Sequence, residues 1–185
     1  MPRKPRLEFA DAIHHVTARG VIRREIVRDE HDCLAWVNRL GETCVEHEWK
    51  CIAYCLMPNH FHVVVQTVRP NLSVGMQRLN SAFALTFNLR HDTSGHVFQG
   101  RFHSEHVDRD SYLLEVTRYV LLNPVRAQLC TDPLDWPWSS CRALLGRATR
   151  PDWLTPGLVL DLLSPGGDSR EECLEQFLRA GIRNN

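Results

Sequence analysis

Two histidines, His60 and His62, stand two residues apart in Met57-Pro-Asn-His-Phe-His-Val-Val-Val-Gln66. The segment reads as a Pro58-Asn59 turn feeding a strand. Side chains alternate along a strand, so both imidazoles face one way and Phe61 faces a core. At about 7 Å between their Cα atoms, the two rings can converge on one divalent cation. Far along the chain, Tyr119 and Asn123 are four apart in a helix-like segment and share its face, one turn apart. Asn123 can supply an oxygen ligand, which leaves the Tyr119 phenol beside the metal. A cation that polarises a phosphate next to a tyrosine nucleophile is chemistry for cutting a DNA strand. Each piece also has a plain reading. His-x-His can be a hydrogen-bonded structural pair, and a tyrosine on an amphipathic helix can be core. The combination carries the argument.

The elements that must position these residues can be read in order. Residues 12–18 form a first strand with Ile13, His15 and Thr17 on one face, and His15 is expected to be a structural residue of the inner sheet. Arg19-Gly20 and Arg23-Arg24 form a loop. Asp29 can cap a helix whose apolar positions include Cys33, Leu34, Trp36, Val37, Leu40 and Cys44. Residues 49–57 are a second strand, and residues 60–68 pair back on it as a hairpin. Residues 72–90 give a second amphipathic helix. A Gly-containing loop holds Phe98-Gln-Gly-Arg-Phe102, followed by a short strand at 104–107. Asp108 or Asp110 then caps a third helix, which Pro124 is expected to end or kink at Asn123. The order β-α-β-β-α-β-α predicts an α+β fold, a ferredoxin-like antiparallel sheet with helices on one face. Two more helices, near 152–163 and 169–180, extend it. The expected division is a domain over 1–145 and a helical appendage over 146–185.

At 185 residues, 43% hydrophobic and 24% charged, the chain has the composition of a globular protein with a real core. No apolar run approaches a membrane span, and the basic start lacks the apolar stretch of a signal peptide, so no membrane partner and a cytoplasmic place are expected. The seven cysteines form no C-x2-C pair, which argues against a zinc ribbon. Cys51 and Cys55 are expected to pack as small hydrophobes. Net charge is zero, yet 20 of the 22 basic residues are Arg. Guanidinium forks suit phosphate, although a GC-rich genome gives the same bias. Residues 1–28 carry seven basic and three acidic side chains, a basic arm.

Several stretches resemble a known family, the single-tyrosine HUH transposases, and in particular the REP-associated tyrosine transposases. They are Pro2-Arg-Lys-Pro-Arg6, His14-His-Val-Thr-Ala-Arg19, Cys55-Leu-Met-Pro-Asn-His-Phe-His62, Phe98-Gln-Gly-Arg-Phe102, Arg118-Tyr-Val-Leu-Leu-Asn-Pro-Val-Arg-Ala127 and Trp136-Pro-Trp-Ser-Ser140. They span residues 2–140. The resemblance implies an HUH endonuclease fold, with His60, His62 and Asn123 holding Mg²⁺ or Mn²⁺ and Tyr119 attacking single-stranded hairpin DNA. A 5′-phosphotyrosine and a free 3′-OH would result, and the reverse step would join a new 3′-OH. Many relatives have Gln where Asn123 stands; both amides offer a carbonyl oxygen. Imidazole also suits zinc, so ligand type alone does not select Mg²⁺. Candidate DNA contacts are Arg3, Lys4 and Arg6 in the arm, and Arg101, Arg118 and Arg126 near the site. Arg118 and Arg126 have an alternative as solvated helix-end charges. Trp136 and Trp138 can stack on bases, but Pro137 between them favours a packed corner. A monomer using Tyr119 in cis is expected over a dimer.

Rival readings stand beside this one. His15-Val-Thr17 fits one half of a two-motif phosphoesterase, but a second H-x-T/S is missing. A histidine-triad hydrolase would want a His where Val64 stands. A palindrome-binding module without turnover, or a purely structural metal site, would keep the same residues.

Overall fold

The computed structural model describes residues 8–108 and 110–183. The strands are β1 (Ala12–Arg19), β2 (Trp49–Met57), β3 (His60–Thr67) and β4 (His103–His106). They form one four-stranded sheet in the order β2-β3-β1-β4, and each neighbouring pair is antiparallel. The helices are α1 (Glu30–Glu46), α2 (Leu72–Arg90), α3 (Asp110–Arg126), α4 (Cys141–Leu144), α5 (Gly157–Leu163) and α6 (Arg170–Arg183). This is the α+β architecture the element order predicts. The expected candidates Arg3, Lys4 and Arg6 lie outside the described residues.

Local chemistry sets the boundaries. Asp29 has extended geometry and accepts from the Asp32 amide at 3.0 Å, satisfying one orphan donor of α1. Pro58 and Asn59 close the β2–β3 hairpin, and Ile26 N–H and Gly20 N–H bond back to their carbonyls at 2.7 and 2.8 Å. Those two bonds dock the β1–α1 turn onto the hairpin tip, next to His60.

The layering differs from the expectation of helices on one face. Phe61 packs on Trp36 of α1, with ring centroids 4.8 Å apart. His62, one residue on and on the opposite face, packs against Tyr119 of α3 at 5.3 Å. Helices therefore cover both faces. The cause is visible in β3: Phe61, His62, Val63, Val64 and Val65 are all buried, the unbroken buried run of a strand covered on both sides.

Pro124 does not end the helix at Asn123, one of the two outcomes expected, because α3 runs through it to Arg126. Proline has no N–H to give Val120, but the helix closes just beyond it. Gln128, at φ 57°, donates to Val125 O, and Leu129 N–H reaches back to Pro124 O. That is a Schellman closure with Gln in the left-handed position. Asn123 thus keeps helical register with Tyr119.

The β2 edge is covered by later chain. Leu56 N–H donates to Trp138 O, Ser140 N–H to Tyr54 O, and the Trp136 indole to Leu56 O. The tryptophans pack against the core, as the packed-corner reading holds. Helix α5 starts at Gly157, later than the expected 152, because residues 153–156 instead run along β2: Leu154 bridges Cys51 and Thr155 N–H donates to Cys51 O. Leu154, Leu160, Leu174 and Leu178 join the same core as the sheet. All seven cysteines are free, and Cys51 and Cys55 are buried. No described helix is long and apolar enough to cross a membrane.

Candidate active site

The register of β1 against β3 places Thr17 opposite His62 and Arg19 opposite His60. Directly opposed residues share a face, so His15, Thr17, Arg19, His60 and His62 form one polar patch on the sheet. On the other side of β1, Glu105 pairs with His15 and His103 with Thr17, extending the patch. Helix α3 crosses this face and brings Tyr119 and Asn123 over it.

The rings interlock. His60 and His62 meet edge-on at 4.9 Å between centroids. His62 stacks on His15 at 5.2 Å, and His62 Nδ1 is 3.0 Å from His15 Nε2. His60 Nδ1 is 2.6 Å from Asn59 Oδ1. Tyr119 meets His62 edge-on and His15 at 6.1 Å, and the Arg126 guanidinium lies 5.0 Å from the centre of its ring. Tyr119 remains 37% exposed, whereas His62 is 6% exposed. The nucleophile candidate is open to solvent and the imidazole beneath it is dry.

Burial holds His62 down to about 2, with the charges of His60, His15 and Arg19 adding to the effect. His60 is lowered for the same first reason, then by Arg19; a hydrogen bond between its ring and the Asn123 side chain works the other way. Both rings are thus kept neutral, the form that can ligate a metal. His62 Nε2 is buried and has no hydrogen-bond partner among the described residues. A buried ring nitrogen without a partner, beside a second imidazole and the buried Asn123 amide, fits a cation. Among the described residues no three His, Cys, Asp or Glu side chains cluster as a metal site. A cation here therefore needs the Asn123 amide plus oxygens from water or substrate.

Two clefts meet at His62. One of about 300 Å³ is lined by Arg19, His60, His62, Gln99 and Arg101. The other, about 500 Å³, is lined by His15, His62, Tyr112, Tyr119 and Arg126. So the structure brings His60, His62, Asn123, Tyr119, Arg101 and Arg126 together. Arg118 is not brought in. Its guanidinium lies 4.6 Å from the Phe177 ring of α6 and pairs with Glu115, so it belongs to the packing between α3 and α6. It is neither a clamp in the cleft nor a solvated helix-end charge.

Sequence reasoning missed three residues here. From the sequence alone His15 reads as a structural residue, Arg19 as loop and Asn59 as turn. The signal for the first two was present: His15, Thr17 and Arg19 alternate on one strand. Only the strand pairing shows that this face is the one carrying His60 and His62.

Comparison with known proteins gives consistent findings. A family model described as "Transposase IS200 like" matches residues 9–123. A Haemophilus influenzae protein described as "Putative REP-associated tyrosine transposase" is 26% identical over 111 residues, 54% of this chain and 62% of that protein. The chain thus spans about three fifths of the length of the curated relative it matches. Among solved structures, a REP-associated tyrosine transposase bound to a REP hairpin superposes with a TM-score of 0.67 at 15% identity. That match covers 82% of this chain and 89% of the other, and at such identity it shows a shared fold.

Proposed function

This chain belongs to the IS200-like transposase family, and from that premise we propose that it is a metal-dependent endonuclease and strand transferase for single-stranded hairpin DNA, with Tyr119 as nucleophile. The observation that carries the reading is the edge-on contact of exposed Tyr119 with buried His62, whose Nε2 has no partner. Hairpin DNA as substrate draws on the similar fold, whose solved example is held on a REP hairpin.

His60, His62 and Asn123 would hold Mg²⁺ or Mn²⁺. Bound there, the cation would polarise a non-bridging oxygen of the scissile phosphate and stabilise the charge that builds on it. The residues of the chain do the rest. Tyr119 Oη forms a bond to phosphorus as the bond to the 3′ oxygen breaks. The phenol loses its proton and the departing 3′ oxygen gains one. The product is a 5′-phosphotyrosine and a free 3′-OH. The phosphodiester energy is conserved in the new ester, so another 3′-OH can reverse the step without ATP. Arg126, against the Tyr119 ring, and Arg101, in the adjoining cleft, are placed to pair with flanking phosphates. The basic arm of Arg3, Lys4 and Arg6 would add contacts near the hairpin foot. Tyr119 reaches His62 of its own chain, which supports a monomer acting in cis. On this reading residues 1–145 carry the chemistry, and residues 146–185 brace α3 from behind.

The test is incubation with a labelled single-stranded hairpin oligonucleotide and Mg²⁺ or Mn²⁺, followed by a denaturing gel. A protein–DNA band that survives denaturation and disappears with a chelator is expected. Hairpin binding with no such band, across several palindromes and both metals, would replace this reading with that of a binding module.

A further inference from the structure

Both candidate ligand rings are gripped by the same atom, Nδ1, and by side chains that nothing above assigns to the reaction. For His60 the partner is Asn59 Oδ1 at 2.6 Å. The orientation of that amide is fixed by its other end, because Asn59 Nδ2 donates to the Arg23 carbonyl at 3.3 Å. Nitrogen faces a carbonyl, so oxygen faces the ring. An amide oxygen only accepts, so His60 Nδ1 carries the hydrogen and Nε2 is bare.

For His62 the partner is another imidazole, His15 Nε2, at 3.0 Å, and one of the two must donate. The far side decides which. His62 Nε2 is buried with no partner among the described residues. An orphaned N–H is rarer in proteins than an unused acceptor. The hydrogen therefore sits on His62 Nδ1 and is donated to His15. The neutral His15 ring then keeps its own hydrogen on Nδ1. Glu105 stands opposite His15 on β4. Its carboxyl is held below the usual range by hydrogen bonds from His103 and Tyr112.

The backbone behind Asn59 carries strain. Ile22 and Arg23 are both left-handed, at φ 53° and 59°. Such geometry is unfavourable, above all for a β-branched residue, and persists where the surroundings over-determine it. Here it presents the Arg23 carbonyl to Asn59.

We propose that Asn59 and His15 are positioning residues that lock both imidazoles with Nδ1 protonated and Nε2 bare, so that the site is set for a divalent cation before one arrives. The cation half rests on the function proposed above; the tautomer half does not. Neighbours that orient metal-binding histidines typically change metal affinity roughly 10- to 100-fold when removed.

The experiment has two arms. Long-range ¹H–¹⁵N NMR of the metal-free protein reads the tautomer of each ring, and Mn²⁺ titration reads affinity without any turnover. In wild type both His60 and His62 should be Nδ1-protonated. His15→Phe keeps the ring stack but removes the acceptor; Mn²⁺ affinity should fall roughly 10- to 100-fold. His15→Gln, whose amide oxygen can reach the place of Nε2, should restore most of it. Asn59→Leu should lose affinity and Asn59→Asp should keep it. Protonation of either ring at Nε2 in wild type overturns the inference, whatever the variants do. So does an Mn²⁺ affinity of folded His15→Phe and Asn59→Leu within about threefold of wild type. Both rings protonated at Nδ1 in a protein that binds no Mn²⁺ would uphold the positioning and overturn the metal reading it serves.

Discussion

Gly20 is the most exacting position outside the cleft. A Cβ built there would sit 2.0 Å from the Arg24 carbonyl oxygen and 3.1 Å from Ile26 Cγ2. Its φ is −63°, so the obstacle is space and not backbone conformation. The nearest atom is backbone, which cannot rotate away, so the turn from Gly20 to Arg24 must open by more than an ångström. That turn is tied to the hairpin tip by Gly20 N–H to Asn59 O, Ile26 N–H to Pro58 O, and Asn59 Nδ2 to Arg23 O. Each bond contributes about 1 kcal/mol net. Losing all three, Gly20→Ala should destabilise by about 3 kcal/mol, within the usual range for overpacking. The released Asn59 should also let His60 turn, so Mn²⁺ affinity and adduct yield fall in the molecules that stay folded. Urea denaturation reads the first effect and Mn²⁺ titration the second. Gly95→Ala is the control. It has φ 93° and nothing within 4 Å of its Cβ, so it should cost about 1 kcal/mol of conformational strain and leave Mn²⁺ binding alone. If Gly20→Ala matches wild type in both measurements, the account of the docked turn is wrong.

Other consequences can be checked separately. The Arg90 hydrogen bond holds the Asp29 carboxyl at about 2 in the folded protein, below its ordinary 3.8. Its contribution is therefore full above about pH 4 and is lost as pH falls toward 2. Asn also caps helices, so Asp29→Asn isolates the charge: the urea midpoints of variant and wild type should differ at pH 5 and converge near pH 2. An equal difference at both would refute the pairing. Gln128→Gly relieves a left-handed side chain at the end of α3 and should raise stability by roughly 1 kcal/mol, read from the same urea curves. Arg118→Ala should lower stability by about 1 kcal/mol by losing its contact with Phe177 and leave hairpin affinity unchanged. Arg126→Ala and Arg101→Ala should each weaken hairpin binding and reduce its salt slope by about one. The reverse pattern would mean that the roles are exchanged.

Much of this was legible because it is local. Asp29 announces a helix start, Pro58-Asn59 a turn, and the two-residue period from His60 to His62 a shared face. The four-residue step from Tyr119 to Asn123 survives because α3 stays helical through Pro124. What escaped was set by distant chain. Whether a strand is covered on one face or two depends on which helices reach it, and the buried run from Phe61 to Val65 suited either a hairpin core or a two-sided strand. Arg118 looks like Arg126 in sequence, but the two lie about two turns apart along α3 and point about 80° apart around it, and α6 claims one of them. His15 becomes a partner of His62 only once β1 pairs with β3. The left-handed geometry of Ile22 and Arg23 has no signature in residue type; it follows from docking onto Pro58 and Asn59.

The most direct test of the central claim is to locate the covalent bond. The denatured adduct with a hairpin oligonucleotide would be trimmed with nuclease, digested with trypsin, and mapped by mass spectrometry. Trypsin cuts after Arg118 and Arg126, so the account predicts the nucleotide mass on the single peptide Tyr119–Arg126, with fragmentation placing it on Tyr119 and no adduct in Tyr119→Phe. Nucleotide on Tyr112, on another peptide, or an adduct undiminished in Tyr119→Phe would contradict it.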